Sequence, residues 1–210
     1  MNEFIEQLIR HFVVLFVVIE PITLVPIFGG LTRGGEPSYR RKMAFKSVAL
    51  SAAIFWIFAL VGQRLLETLG ISVASFKIAG GLLLFLMAVD MVFARQSGLR
   101  STTVREQDEA RYREDVSVFP LAFPLIAGPG ALATLLLLLV ELEKSWLAFF
   151  GLMGMAMLVL LIALVLMLLT TPVMRILGET GGNVISRLLG VVLVALAVQY
   201  VVDGIHILFF

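Results

Sequence analysis

The sequence contains no cysteine, which excludes disulfides, thiol catalysis and thiolate metal sites. Charge is also sparse. Asp, Glu, Lys and Arg make up 15% of the 210 residues, against 60% hydrophobic residues and a mean hydropathy of +1.04. A water-soluble domain of this size needs far more polar residues to cover its surface. Lipid is the solvent that accommodates the surplus. Neither sign of charge dominates, the formal net charge being +1, so nothing points to nucleic acid or an acidic partner. No Walker motif, paired Asp dyad, HExxH or Ser–His arrangement is present at membrane depth, so neither direct use of ATP nor an enzymatic role is expected. No metal or resident cofactor is expected either, beyond a coupling proton or sodium ion. Glu3 and Glu6 stand where a cleavable signal would be basic, and the amino terminus is expected to be retained.

What is present is long apolar runs. A bilayer core of about 30 Å needs roughly 20 apolar residues at about 1.5 Å per residue. Six stretches qualify: Phe12 to Leu31, Ala44 to Leu66, Ile71 to Ala94, Val116 to Val140, Trp146 to Thr170 and Val184 to Phe210. In lipid the backbone must satisfy its own hydrogen bonds, which such runs do as helices. The short alternating segments of a β-barrel do not occur. The predicted fold is an all-α membrane protein of six transmembrane helices.

Lys and Arg set the orientation. The connections after spans 1, 3 and 5 hold twelve of them: Arg33, Arg40, Arg41, Lys42, Lys46, Arg95, Arg100, Arg105, Arg111, Arg113, Arg175 and Arg187. The other side holds four, Arg10, Arg64, Lys77 and Lys144. Both termini are therefore expected outside the cytoplasm.

The two halves resemble each other. Lys77-Ile78-Ala79-Gly80 in span 3 matches Arg187-Leu188-Leu189-Gly190 in span 6, and Glu20-Pro21-Ile22-Thr23 in span 1 matches Gly128-Pro129-Gly130-Ala131 in span 4. The expected organisation is a three-helix repeat over residues 1–94, a charged cytoplasmic linker over 95–115 and a second repeat over 116–210. An odd number of spans per half inverts the second half relative to the first, as in many secondary transporters.

Spans 1 and 4 also carry the helix breakers. Pro21 and Pro26 bracket one site, while Pro120, Pro124 and Pro129 converge on Gly128 and Gly130 at the other. A single proline often merely kinks a membrane helix. Two breaks at corresponding repeat positions point instead to a shared solute site, because unwound backbone at that depth must be buried in protein or line a cavity. Glu20 lies in the middle of span 1, where a charge costs at least about 2.5 kcal/mol and marks a pathway or an internal partner. It is the candidate coupling group; the bland alternative is a neutral carboxyl bonded to freed backbone. Asp90, Gln199 and Asp203 are weaker candidates. Lys77 and Arg187 are expected to snorkel, and Gly151 and Gly154 to allow close helix approach.

These motifs together resemble the MarC family of integral membrane proteins, also described as neutral amino acid transporter-like. The matching stretches are Glu20 to Phe28 (EPITLVPIF), Gly70-Ile71-Ser72, Phe76 to Leu84 (FKIAGGLLL), Pro120 to Thr134 (PLAFPLIAGPGALAT) and Ser186 to Gly190 (SRLLG). The resemblance covers nearly the whole chain. It implies a prokaryotic cytoplasmic membrane and transport of small neutral amino acids such as glycine, alanine and serine. The paired breaks themselves give the expected substrate-binding set: Glu20, Pro21, Thr23, Pro26, Gly128, Pro129, Gly130 and Thr134. The sequence departs from the family at the first break, where Asp- or Asn-Pro-Ile-Gly is usual and Glu20 and Thr23 stand here. A channel or export facilitator for another small solute is the rival reading. The expected partners are a small solute and the lipid bilayer, with small-residue faces compatible with a homo-oligomer.

Overall fold

The computed structural model describes residues 2–93, 115–142 and 145–209, apart from the side chains of 2 and 177–180. The expected linker therefore lies outside the described residues, except for Asp115. Every element described is helical: α1 (Asn2–Ile19), α2 (Leu24–Leu31), α3 (Pro37–Thr68), α4 (Val73–Phe93), α5 (Ser117–Ile126), α6 (Pro129–Glu141), α7 (Trp146–Leu168) and α8 (Thr170–Phe209). Among the described residues, four helices are long and apolar enough to cross a membrane singly. Two bent pairs bring the number to six: α1 with α2, inclined by 41°, and α5 with α6, inclined by 50°. The bends fall at the two predicted breaks.

Two boundaries differ from the sequence expectation. α3 begins at Pro37, so Arg40, Arg41, Lys42 and Lys46 sit on the helix rather than on a loop. Proline at its first position and good helix formers after it explain the extension. The Arg175 connection is helical too, because α8 starts at Thr170, with only Leu169 between it and the end of α7. At about 1.5 Å per residue α8 is roughly twice as long as the bilayer core is thick. Its membrane-crossing part is Gly181–Phe209.

α4 packs against α6 and α8, and glycines set its register. Gly80 meets Leu137 and Gly130 meets Met87, so α4 and α6 run antiparallel. On the other side Gly81 lies against the Ala197 carbonyl, Gly190 against Ala88 and Met91, and Gly204 against Ala74 and Ile78. α4 and α8 are thus antiparallel along their whole contact, at backbone distances that any larger residue would prevent. Elsewhere α1 packs on α7, α5 on α3, α2 on α8 and α3 on α7. Gly151 seats α7 against Phe4 and Leu8 of α1, whereas Gly154 faces open space. The core between these helices is Leu, Val and Ala, with Phe28, Phe55 and Tyr200 as the largest buried side chains. Ile57, Leu60, Leu161, Val165, Val191 and Val202 are more than two-fifths exposed, as lipid-facing residues must be.

Candidate functional site: two broken helices and a buried carboxylate

The first break begins where α1 stops. The Glu20 amide still donates to the Phe16 carbonyl (2.9 Å), but Pro21 disfavours helical backbone at residue 20 and brings no donor of its own. Glu20 adopts φ +49°, the only left-handed non-glycine residue among those described. Its carbonyl then accepts from the Thr23 and Leu24 amides at 3.0 and 3.3 Å, which restarts the chain as α2. Left-handed backbone costs a residue with a side chain about 1–2 kcal/mol, and strain of this kind collects at functional sites.

The Glu20 side chain is 1% exposed. The Ser186 hydroxyl on α8 donates to both of its carboxyl oxygens, at 3.3 Å each. Ser186 opens the Ser-Arg-Leu-Leu-Gly motif, yet its position at the start of an apolar run reads as a solvent-facing residue. Only the packing of α2 on α8 reveals it. Thr23 follows within the turn, and its buried hydroxyl has no hydrogen-bond partner among the described residues. Pro21 is buried, and Pro26 is half-buried within α2.

The second break is built differently. Phe119 and Phe123, each preceding a proline, are extended (φ −130° and −135°), and both Phe–Pro peptide bonds are cis. The remaining backbone bonds reach five residues back, from the Leu121 amide to the Val116 carbonyl and from the Ala127 amide to the Ala122 carbonyl. These bonds span the kinks at Phe119 and Phe123, so the segment is a kinked chain rather than one continuous helix. α6 restarts at Pro129, a position where proline's missing amide costs nothing. A methyl group at Gly128 would lie 2.1 Å from the Pro124 carbonyl oxygen, so only glycine fits. Gly130 faces the Met87 thioether on α4 and forms a helix contact. On α3, the buried Ser51 hydroxyl reaches the Ala122 carbonyl at 3.5 Å. Thr134, one turn into α6, is fully buried with its hydroxyl unpartnered among the described residues.

The structure thus sets Glu20, Thr23 and Ser186 at the first break against α8, and Gly128, Pro129 and the wide turns of α5 at the second against α3. The weaker candidates stand apart. Gln199 donates to Asp203 at 2.6 Å, a bond within α8, and Asp90 is half-buried on α4. An open cavity of about 400 Å³ lies between Gln63 of α3, Leu139 of α6 and Trp146 of α7. None of the candidate residues lines it. No group of three or more potential metal ligands occurs among the described residues.

One constellation escaped the sequence reading. Lys77, expected to snorkel, is 8% exposed and donates to Glu141 at 2.8 Å, and Arg10 meets the other oxygen of Glu141 at 3.3 Å. Neither pairing follows from spacing, since the partners lie 64 and 131 residues apart.

Broken, inclined helices and long apolar ones point to polytopic membrane proteins, and sequence comparison agrees. No solved structure matches the chain. It is 33% identical over 201 residues to the UPF0056 membrane protein YhcE of Escherichia coli (strain K12), covering 95% of this chain and 92% of that protein. It is 32% identical over 204 residues to the UPF0056 inner membrane protein YhgN of the same organism, covering 95% and 96%. A UPF0056 membrane protein of Archaeoglobus fulgidus is 31% identical over 194 residues, covering 92% and 90%. The model of the MarC family integral membrane proteins matches residues 5–209, so the motifs at both breaks and the helices around them place this chain in the MarC family.

Proposed function

We propose that the protein is a secondary transporter of small neutral amino acids of the glycine, alanine and serine type, coupled to protons or sodium. One observation carries the proposal: Glu20, a buried carboxylate on strained backbone where a span breaks, bridged by Ser186 to α8 and followed by the unpartnered Thr23 hydroxyl. Carboxylate and hydroxyl oxygens suit an ammonium group or a hard cation. The start of α6 at the second break presents amides and a positive dipole end, which suit a carboxylate.

The packing supports two inverted three-helix halves, residues 1–94 and 116–210. Exchanging α1/α2 with α5/α6, α3 with α7 and α4 with α8 turns the α1–α7 contact into α5–α3 and the α2–α8 contact into α6–α4. With the basic residues in the cytoplasm, both termini lie outside.

Uptake of labelled glycine, alanine and serine into proteoliposomes under imposed proton and sodium gradients tests the proposal. The expected outcome is saturable accumulation under one gradient, lost in Glu20→Gln. Flat traces for all three solutes in correctly inserted protein would overturn the amino-acid reading; accumulation by Glu20→Gln with unchanged ion dependence would overturn the role of Glu20.

A further inference from the structure

The ionic cluster at the end of the bundle where the chain begins has no part in the proposed solute site. Its assembly follows from register. α4 and α6 run antiparallel with Gly80 opposite Leu137; one turn further out on each helix, Lys77 comes opposite Glu141. α1 adds Arg10 to the same carboxylate. Next to Arg10, His11 is 4% exposed, lies within electrostatic reach of Arg10 and Glu141, and has no partner for Nδ1 among the described residues. From α8, Tyr200 is 1% exposed, lies within reach of Glu141, Arg10 and Asp203, and has an unpartnered hydroxyl. Two orphaned polar atoms beside a part-buried ion pair form an incomplete hydrogen-bond network, an arrangement that buried polar groups rarely leave open.

We propose that this cluster is a proton-binding site, with His11 as the group that takes the proton and the hold of Glu141 on α1 and α4 as the contact that responds. With His11 neutral, one carboxylate balances Lys77 and Arg10. A proton on His11 adds a third cation beside Arg10. Among the described residues no further carboxylate joins these pairs from α4 or α6, and α7, packed on α1, carries no ionisable side chain. On α8, Asp203 is engaged by Gln199, and His206 lies about a turn beyond it and is exposed. Arg10 reaches Glu141 from the solvent side, its side chain 60% exposed, whereas Lys77 and His11 are buried. Repulsion between a charged His11 and these two cations favours letting that water further in, which separates the end of α6 from α1 and α4. Histidine ordinarily changes charge between about pH 5 and pH 8. Burial and then the neighbouring Arg10 disfavour the charged form of His11, which moves the change to the acid end of that window.

The chain's composition makes the test direct. With no native cysteine, Val73→Cys at the start of α4 and Ser145→Cys beyond the end of α6 give a spin-label pair in otherwise unaltered protein. With only two histidines, imidazole nitrogen NMR assigned through His206→Gln reads the charge of His11. Both are measured in liposomes without solute, so the result is independent of whether the protein transports amino acids. Between about pH 8 and pH 5, His11 should become charged and the label distance should lengthen by about 2 Å or more, the scale of helix shifts at interfaces. His11→Gln should keep the short distance throughout, and Glu141→Gln should give the long distance at both pH values. A His11 that stays neutral to about pH 5, or one that titrates while the distance stays fixed, overturns the proposal. So does a pH response that survives His11→Gln.

Discussion

The two broken spans reach the same outline by different chemistry. The first uses one proline and one strained residue, and the residue it strains is the acid: Glu20 is left-handed, buried and bonded to Ser186. The second uses three prolines and a glycine, with ordinary extended backbone at Phe119 and Phe123 and no charged side chain between Ser117 and Val140. One break presents side-chain chemistry and the other presents backbone. A zwitterionic solute needs both kinds of surface, a site for its ammonium and one for its carboxylate. Two identical breaks would supply only one.

If the second break is held by steric fit alone, Gly128 should be its least replaceable residue. Gly128→Ala drives a methyl group into the Pro124 carbonyl oxygen, a backbone atom that cannot swing aside. A loss of about 3 kcal/mol is expected, read as a large drop in Tm in detergent. Gly130→Ala meets only the flexible end of Met87 and should cost far less. Equal effects would show that the crowding at Gly128 relaxes and that the second break is looser than its geometry implies.

The first break should respond in the opposite sense to glycine. Glu20→Gly removes both the left-handed strain and a buried carboxylate, and should raise stability by about 1 kcal/mol while abolishing ion-coupled uptake. Phe119→Gly relieves nothing, because extended backbone suits phenylalanine, and should lower stability. A fall in Tm for Glu20→Gly would mean that the bond to Ser186 outweighs the strain, and that Glu20 holds the fold more than it serves a solute. The Asp or Asn that the family resemblance places at position 20 fits this picture, since both tolerate left-handed backbone better than Glu.

The positions of both breaks could be read from the sequence because proline and glycine act locally, and Glu20 stood out as a lone charge in an apolar run. Six spans followed from run lengths, with the two bent pairs each counted as one. What escaped was tertiary. Ser186 looks like a helix-start serine until α2 lies on α8, and Lys77 looks like a snorkelling lysine until the α4–α6 register sets Glu141 opposite. Gly151 and Gly154 share a composition argument, but only Gly151 faces a neighbouring helix. Run lengths also missed that α8 continues through the Arg175 connection, because a polar helix and a polar loop have the same hydropathy.

The entry to the second break provides the smallest effect, and it depends on pH. Asp115 accepts from the Ser117 amide at 2.9 Å and from the Ser117 hydroxyl, and it pairs with Lys46 of α3. The hydrogen bonds from Lys46 and Ser117 hold its carboxyl down at about 2, from an ordinary 3.8. A lowered carboxyl pKa stabilises the fold above the ordinary value, and that stability disappears as pH falls through the folded value. The difference in Tm between wild type and Asp115→Asn should therefore be constant above about pH 5 and vanish between about pH 4 and pH 2. The side chain is 40% exposed, so the pair is screened by solvent and the difference should be small. α1 runs into the first break as continuous helix, whereas the wide turns of α5 start from this single exposed anchor. A large Tm difference that persists at about pH 2 would mean that the Asp115→Asn variant has lost more than an ion pair, and that the capping of Ser117 is what sets α5 against α3.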